Sequence, residues 1–271
     1  MRTPYGLIAD NTLMPSAADA VMSREWFYRF HLPDGRVSPC YVGDDVIGIH
    51  DTRLAMVDWV LEPLFGADWS AASCLDMACH EGFFCSHLAA KGCRDVLGID
   101  VRPEHVRDAE LIKEAFGFNN LRLECRDVLD LEPAELGKFD IVLVLGLLYH
   151  LENPIGALRR AFSHTRSVCI VETQVAPNLS GVIDWGSYRY HKAMVGSFAL
   201  VDESSELAGG NAEASVLNVS LVPSIEALVF VMKALGFSRV EVIEPPEEAY
   251  EQLRFKKRVV VAGYIDDAPA G

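Results

Sequence analysis

The sequence predicts an α/β fold with a doubly wound sheet, and two observations lead to this prediction. From residue 73 onward, apolar segments of strand length alternate with helical segments, which is the order that a parallel sheet with helical crossovers requires. The predicted helices also have suitable ends, since Pro103 stands at the first position of one helix and Gly117 follows its last turn. Residues 174–222 interrupt the alternation, which indicates one long insertion.

The individual elements follow from periodicity and from residues typical of helix ends. Residues 1–50 show aromatic residues and turn formers without a sustained period, so we expect an irregular N-terminal cap before a domain at 51–271. Apolar spacing predicts a helix over 52–65 with Asp51 as its N-cap. Strands are predicted at 73–78, 96–99, 121–125, 141–147, 167–172, 240–243 and 258–263. Helices are predicted at 83–90, 103–116 and 154–162, and another from the cap Ser224 to Gly236.

The insertion at 174–222 is predicted to form a lid or a substrate-binding segment. Its first half holds an aromatic and polar cluster, in which Trp185, Tyr188, Arg189 and His191 are candidates for contact with a hydroxylated ligand. The same mixture of residues occurs on ordinary lids, so both interpretations stay open. A stretch rich in Gly, Ala and Ser at 207–215 is predicted to be mobile.

Composition excludes several classes of protein. The chain has 271 residues, is half hydrophobic, and carries 24 Lys and Arg against 39 Asp and Glu, a formal net charge of −15. This is a globular composition, and no apolar run reaches the roughly 18 residues of a membrane span. No signal-peptide pattern occurs in residues 1–30, so we expect a cytoplasmic protein without a membrane partner. The acidic balance disfavours nucleic acid, although residues 254–258 form one dense basic cluster, and a homodimer stays open.

The seven cysteines are an odd number, and several lie in apolar segments. We therefore expect free thiols in a reducing compartment, with no disulfide framework. Cys74, Cys79 and Cys85 are close in sequence, but no paired ligand motif accompanies them, so no metal site is expected.

A nucleoside-binding pattern follows the first two predicted strands. The turn at 76–82 joins a strand to a helix, and Gly82 allows the backbone to approach a ligand closely. Asp100 ends the next strand, where its carboxylate can accept hydrogen bonds from a ribose diol. The alternative interpretation is that Asp100 only caps the turn before Pro103.

Residues 74–174 resemble the class I S-adenosylmethionine-dependent methyltransferases. The resemblance implies a Rossmann-like sheet of seven strands with the last strand antiparallel, and S-adenosylmethionine as the cofactor. In that family the first loop holds the methionine part of the cofactor, and acidic residues after the second and third strands bind the ribose and the adenine. The corresponding cofactor-binding residues of this chain are Asp76, Ala78, His80, Gly82, Asp100, Asp127, Val128 and Leu145. Ala78 and His80 stand where the family usually has glycines, and a nicotinamide-binding domain fits less well because its phosphate loop needs these glycines.

The segment GLLYHLENP at 146–154 is similar to the fourth motif of one branch of this family. The branch contains wobble-uridine tRNA carboxymethyltransferases as well as small-molecule and sugar methyltransferases. Methyl transfer mainly requires alignment and exclusion of water, but an alcohol acceptor also needs a base. His150 is the candidate base, because it follows the fourth strand and imidazole has an unperturbed pKa of about 6.5.

Three further side chains complete the predicted site. Glu172, at the end of the fifth strand, and His191 are the other catalytic candidates, and Tyr149 is a candidate for substrate contact. His50 is a weaker candidate, because a histidine beside a helix cap is usually structural. His150 itself has an alternative interpretation, in which it packs under the following loop.

These residues predict an S-adenosylmethionine-dependent O-methyltransferase that acts on a hydroxyl of a small molecule. A sugar or a secondary metabolite is the leading acceptor. Two alternatives stay open: an RNA-modifying enzyme of the wobble-uridine type, and a relative that binds the cofactor without catalysis.

Overall fold

A computed structural model describes residues 16–186, 188–204 and 218–266, with the backbone alone described at residues 185 and 188–191. The predicted mobile stretch at 207–215 lies outside the described residues. The side chains of Trp185, Tyr188, Arg189 and His191 lie outside them as well, so their predicted substrate contacts and the predicted role of His191 stay predictions.

The described helices and strands follow the predicted alternation. The helices are α1 (Ala17–Met22), α2 (Gly48–Phe65), α3 (Phe83–Lys91), α4 (Pro103–Phe116), α5 (Pro133–Leu136), α6 (Pro154–His164), α7 (Ile225–Leu235) and α8 (Glu251–Arg254). The strands are β1 (Ser73–Met77), β2 (Asp95–Asp100), β3 (Leu121–Cys125), β4 (Phe139–Leu145), β5 (Thr165–Gln174), β6 (Gly181–Trp185), β7 (Tyr188–Met194), β8 (Phe198–Asp202), β9 (Val219–Pro223), β10 (Arg239–Ile243) and β11 (Arg258–Tyr264).

Seven of these strands form one sheet in the order β10-β11-β5-β4-β1-β2-β3. The pairs of β1 with β2, β1 with β4, β2 with β3 and β4 with β5 are parallel, whereas β11 runs antiparallel to both of its neighbours. The predicted seven-stranded sheet with its last strand antiparallel is therefore confirmed. The strand order reverses direction between β1 and β4, which is where an open α/β sheet forms its ligand crevice.

The hydrophobic core lies on both faces of this sheet. Every residue of β1 and of β4 is buried, as expected for central parallel strands covered by helices on both sides. Along β1 the side chains alternate between two core clusters, with Cys74 in one and Leu75 and Met77 in the other. This packing fixes the carboxyl ends of the central strands, and with them the loops that carry the site.

Residues 16–47, the described part of the predicted N-terminal cap, are more ordered than their sequence suggests. Trp26 is fully buried, and the backbone N–H groups of Phe27 and Tyr28 donate to the Glu81 carboxylate at 2.9–3.0 Å. The predicted start of the following helix is wrong by four residues, because α2 begins at Gly48. Asp51 is not its N-cap but lies in its first turn, where a negative charge is also favourable to the helix dipole.

The insertion contains two antiparallel hairpins. β6 pairs with β7, and β8 pairs with β9. The second hairpin is attached to the main domain, since the Leu221 N–H donates to the Leu151 carbonyl at 2.9 Å and the Ala176 N–H donates to the Pro223 carbonyl at 2.9 Å. This attachment brings the end of β8 to the loop that follows β4.

All seven cysteines are free thiols, as predicted, and five of them are buried. Within the described residues no helix is long and apolar enough to cross a membrane. In the same residues no group of three or more His, Cys, Asp or Glu side chains has the arrangement of a metal site.

Candidate active site

A cavity of about 680 Å³ lies at the carboxyl ends of β1, β2, β3 and β4. Its wall also includes residues of the N-terminal region, α2, the β8–β9 hairpin and the start of β11. Six predicted cofactor residues line it: Ala78, His80, Asp100, Asp127, Val128 and Leu145. Tyr149 and His150 line it too. The structure therefore brings most of the predicted site residues to one cleft.

The turn between β1 and α3 keeps a left-handed backbone at three positions. The φ angles are 87° at Ala78, 52° at His80 and 76° at Gly82. Glycine adopts such angles freely, whereas a side-chain-bearing residue pays roughly 1–2 kcal/mol. The turn is held by the Ala78 and Cys79 N–H groups, which donate to the Ile99 carbonyl at 2.9 and 2.8 Å. Although Ala78 and His80 stand in place of two glycines, the turn keeps a left-handed backbone at both positions, with local strain.

Asp100 is the charged centre of the cleft. Its side chain accepts hydrogen bonds from the His80 N–H (3.0 Å), the Arg102 N–H (2.9 Å) and the His105 Nδ1 (3.2 Å). Burial by itself would raise the pKa of the carboxyl, but these hydrogen bonds and the nearby His105 outweigh it and lower the pKa below the usual value. The bond to Arg102 shows that Asp100 does cap the turn before α4, while it also lines the cleft.

A carboxylate has about four lone-pair positions, so three accepted bonds leave one for a ligand. If the His105 ring turned away, a second position would become available. Either arrangement keeps an ionised acceptor at the end of β2.

The adenine-side residues occupy a short turn after β3. The Asp127 carboxylate accepts a hydrogen bond from the Leu129 N–H at 2.8 Å, which holds the turn at 128–130. Val128 and Leu145 are each 6% exposed and contribute apolar surface to the wall of the cleft. This combination of a carboxylate and apolar side chains suits a flat, partly polar ring.

Asp76 and Gly82 lie outside the lining of the cleft. Asp76 is 2% exposed and accepts a hydrogen bond from the Cys85 thiol at 3.4 Å. Burial raises the pKa of this carboxyl to about 7. A Cβ at Gly82 would lie 3.0 Å from the Ala109 Cβ, so this glycine allows α3 to pack closely on α4. Both residues lie behind the turn rather than in the wall of the cleft, and their predicted contacts with the cofactor stay predictions.

His150 lies beside a carboxylate that the sequence analysis missed. Its Nδ1 is 3.4 Å from the Glu203 Oε2, and the Glu203 Oε1 accepts a hydrogen bond from the Ser220 hydroxyl at 2.9 Å. Glu203 follows β8, so this partner comes from the inserted hairpin. No local pattern points to it, because 53 residues separate it from His150 and the contact depends on how the hairpin packs.

Glu172 is the centre of a buried ionic network. Its carboxylate is paired with Arg258 Nη1 at 2.9 Å and with Arg53 Nε at 3.1 Å. Arg258 also donates to the Tyr149 hydroxyl at 2.9 Å, and Arg53 lies 3.4 Å from the Tyr28 hydroxyl. Burial would raise the pKa of Glu172, but the two arginines lower it below its usual value. Glu172 is therefore a carboxylate behind the wall of the cleft, and its predicted catalytic role stays a prediction.

The sequence signals the burial of Arg53 but not that of Arg258. Arg53 falls on the apolar stripe of α2, between the buried Ile49 and Met56, and a charged residue at such a position is buried only when it is paired. Arg258 belongs to the basic sequence cluster at 254–258, but its side chain is only 12% exposed and is paired with Glu172. The basic cluster at 254–258 therefore has fewer side chains on the surface than its sequence indicates.

His50 also lines the cleft. It is 3% exposed, and neither ring nitrogen has a hydrogen-bond partner among the described residues. Burial, together with the charges of Arg53, His80 and Arg258, lowers its pKa to about 3. His50 is therefore a neutral imidazole at neutral pH.

Comparison with known proteins agrees with this architecture. The family model described as a methyltransferase domain matches residues 69–206, about half of the chain. A tRNA U34 carboxymethyltransferase from Alteromonas mediterranea is 24% identical over 187 residues, which cover 66% of this chain and 49% of that protein. A tRNA U34 carboxymethyltransferase from Desulfotalea psychrophila is 31% identical over 104 residues, 38% of this chain and 32% of the relative. The chain thus spans about half the length or less of these curated relatives.

Solved structures share the fold at low sequence identity. The N-terminal domain of EvdMO1, crystallised in the presence of S-adenosylhomocysteine and D-fucose, superposes with a TM-score of 0.63 at 22% identity, covering 92% of this chain and 95% of that one. The magnesium protoporphyrin IX methyltransferase of Synechocystis PCC 6803, with bound S-adenosylhomocysteine, gives a TM-score of 0.53 at 17% identity over 83% of this chain and 89% of that one. With the family match, the sheet order and the strand-end carboxylates, these findings show that the chain belongs to the class I S-adenosylmethionine-dependent methyltransferases.

Proposed function

We propose that the protein transfers the methyl group of S-adenosylmethionine to a hydroxyl of a small molecule, with a sugar or a secondary metabolite as the leading acceptor. One observation carries the proposal. His150, the candidate base, pairs with Glu203 and lines the same cleft as the ionised Asp100. An enzyme for hydroxyl methylation needs both a nucleoside site and a base beside it.

The residues of the cleft fit the cofactor. Asp100 keeps an acceptor position open at the end of β2, and the left-handed turn at 78–82 presents backbone close to the strand ends. Asp100 would hold the ribose, Asp127 and Val128 would contact the adenine, and the turn would hold the methionine part. When bound, the cofactor supplies a sulfonium methyl group that is already activated for transfer.

His150 would take the proton of the acceptor hydroxyl. The Glu203 carboxylate beside Nδ1 favours the tautomer with a proton on that nitrogen, which leaves Nε2 as the proton acceptor. As the acceptor oxygen takes the methyl group that the bound cofactor would supply, the proton of the hydroxyl would move to His150. Glu203 also stabilises the imidazolium that results. The hairpin that carries Glu203 helps to exclude water from the cleft.

Tyr149 and the two arginines would shape the acceptor side of the cleft. The Arg258 guanidinium holds the Tyr149 hydroxyl, and Glu172 holds Arg258. This chain of contacts fixes the phenol ring beside His150, with ring centroids 4.2 Å apart. We propose that Glu172 is a positioning residue that acts through Arg258.

Calorimetry with S-adenosylhomocysteine tests the cofactor site. Asp100→Ala should weaken binding about 10- to 150-fold, since a hydrogen bond to a charged group contributes roughly 1.5–3 kcal/mol. Glu114→Ala, which removes an exposed carboxylate in the last turn of α4, is the control and should bind like the wild type. Unchanged affinity in Asp100→Ala would show that the ribose is held elsewhere.

Kinetics test the base. With labelled S-adenosylmethionine and fractionated metabolites, the product is the molecule that gains one methyl group. On that acceptor His150→Ala should lower kcat about 10²- to 10⁴-fold and abolish the acid limb of the pH profile, while leaving cofactor affinity unchanged. Glu203→Gln should lower kcat less than His150→Ala does, and it should change the acid limb of the pH profile. Glu226→Gln, a change at an exposed glutamate, should leave kcat and the acid limb unchanged. A His150→Ala enzyme with normal kcat would move the base to His191, Glu172 or His50.

The relatives named tRNA U34 carboxymethyltransferases support a second candidate, a tRNA-modifying enzyme. The net charge of −15 and the inward orientation of Arg258 speak against it. Filter binding with bulk tRNA separates the two candidates. Salt-dependent binding at micromolar protein favours the tRNA candidate, and absence of binding favours the small-molecule acceptor.

A further inference from the structure

A short segment of the N-terminal region, Phe27 and Tyr28, forms part of the wall of the cleft. Both residues line the cleft together with Ala78 and His80 of the turn between β1 and α3. Tyr28 is buried, whereas Phe27 is only partly buried. Phe27 therefore combines accessible ring surface with a place in the wall of the cleft.

The Glu81 carboxylate fixes this segment to the turn. Glu81 lies between His80 and Gly82 and is 5% exposed. Its Oε1 accepts a hydrogen bond from the Phe27 N–H at 2.9 Å, and its Oε2 accepts one from the Tyr28 N–H at 3.0 Å. Burial raises the pKa of this carboxyl, while the two N–H groups act in the opposite direction. A buried carboxylate is costly unless it is hydrogen-bonded, and here the hydrogen bonds within the described residues all come from this segment.

Ring contacts join the same segment to the same turn. The centroid of the Phe27 ring lies 5.2 Å from that of His80. The Tyr28 ring is stacked on Phe83, the first residue of α3, with centroids 4.6 Å apart and an interplanar angle of 6°. Aromatic pairs at such distances attract each other beyond the effect of burial. Contacts on both sides of Glu81 therefore hold the Phe27 ring beside the turn.

This turn is the one that would hold the methionine part of the cofactor, so the following inference rests on the proposed cofactor site. The His80 N–H donates to Asp100 at 3.0 Å, which keeps the turn close to the carboxylate that would hold the ribose. We propose that Phe27 contacts the methionine part of bound S-adenosylmethionine, and that Glu81 is a positioning residue that holds Phe27 for this contact. The methionine part offers methylene groups and a positively charged sulfonium, and an aromatic ring attracts both.

Calorimetry with S-adenosylhomocysteine, which keeps the methionine part without the transferred methyl group, tests the contact. Phe27→Ala should weaken binding about three- to tenfold, because an aromatic contact is lost. Glu81→Ala should weaken binding by a similar factor. Glu81→Gln should weaken it less, because the amide oxygen can still accept a hydrogen bond. Glu226→Ala, a matched change at an exposed glutamate of α7, should bind like the wild type.

A double-mutant cycle separates positioning from a general effect on the fold. If Glu81 acts through Phe27, Glu81→Ala should cause no further loss of affinity in the Phe27→Ala background. Equal loss of affinity in both backgrounds would overturn the positioning role. If Glu81→Ala does not fold, Glu81→Gln takes its place in the cycle.

A measurement on the wild type needs no variant. Intermolecular Overhauser effects should connect the ring protons of Phe27 to the methionine methylene protons of S-adenosylhomocysteine. Their absence, or wild-type affinity in Phe27→Ala, would show that the ring does not contact the cofactor. Asp100→Ala distinguishes this failure from failure of the proposed cofactor site, since it should weaken binding even if Phe27→Ala does not. A wild type that does not bind S-adenosylhomocysteine would overturn both.

Discussion

Ionisation of Asp76 should destabilise the fold at neutral and alkaline pH. Asp76 is the fourth of the five residues of β1 and is 2% exposed. Among the described residues, its carboxylate accepts a weak hydrogen bond from the Cys85 thiol. Burial raises its pKa from 3.8 to about 7. Since a tenfold change in proton affinity corresponds to 1.36 kcal/mol, the ionised form costs the fold about 4 kcal/mol.

The direction of the pH dependence follows from proton linkage. Between pH 3.8 and about 7 the folded chain holds a proton on Asp76 that the unfolded chain has lost. Stability therefore falls as pH rises through this window, and the penalty is complete above the folded pKa. By the same linkage, roughly 2–3 kcal/mol of the penalty should accumulate between pH 5 and pH 8.

Asp76→Asn isolates this contribution, because an amide does not ionise. Urea unfolding of the wild type and the variant, followed by tryptophan fluorescence, to which the buried Trp26 contributes, gives the free energy of unfolding at each pH. The difference between the free energies of unfolding of the two proteins should shift by roughly 2–3 kcal/mol in favour of the variant from pH 5 to pH 8. Asp130→Asn, an exposed carboxylate, controls for loss of one negative charge. A difference that stays constant over this range would refute a protonated buried Asp76.

Two further predictions concern stability. Ala78→Gly should raise the free energy of unfolding by about 0.5–1 kcal/mol, because relief of the strain at a φ of 87° exceeds the extra entropy of an unfolded glycine. If urea unfolding shows that the variant is less stable than the wild type, Ala78 is not strained. Glu172→Gln should lower the free energy of unfolding by about 3–5 kcal/mol, because Arg53 and Arg258 would lose their buried counter-charge. A variant that unfolds thermally at the same temperature as the wild type would show that the network contributes little to stability.

The fold was largely predictable because its elements are defined by local patterns. The bounds of α4 and β3 agree with the sequence to the residue, since Pro103 and Gly117 mark the helix and a short apolar alternation marks the strand. The two hairpins of the insertion were not predicted. Their strands are only five to seven residues long, and which of these short segments pair with each other depends on tertiary packing that the local sequence does not reveal.

The cleft was predictable for a geometric reason. Parallel strands end at one edge of the sheet, so residues that follow different strands, such as Ala78, Asp100 and His150, come together without any knowledge of side-chain packing. Which side chains face the cleft is decided by tertiary contacts. Asp76 and Glu172 also lie near strand ends, yet the first packs against α3 and the second is enclosed by two arginines.

The pair of His150 and Glu203 forms between two separate segments of the chain. His150 belongs to the loop after β4, whereas Glu203 belongs to the inserted hairpin, which the backbone bond from Leu221 to Leu151 attaches to that loop. Any opening of the hairpin that breaks this bond also moves Glu203 away from the imidazole. In the proposed reaction, admission of the acceptor and formation of an oriented base are therefore coupled. A hairpin that closes behind the acceptor would restore the carboxylate to His150 at the moment when the hydroxyl must lose its proton.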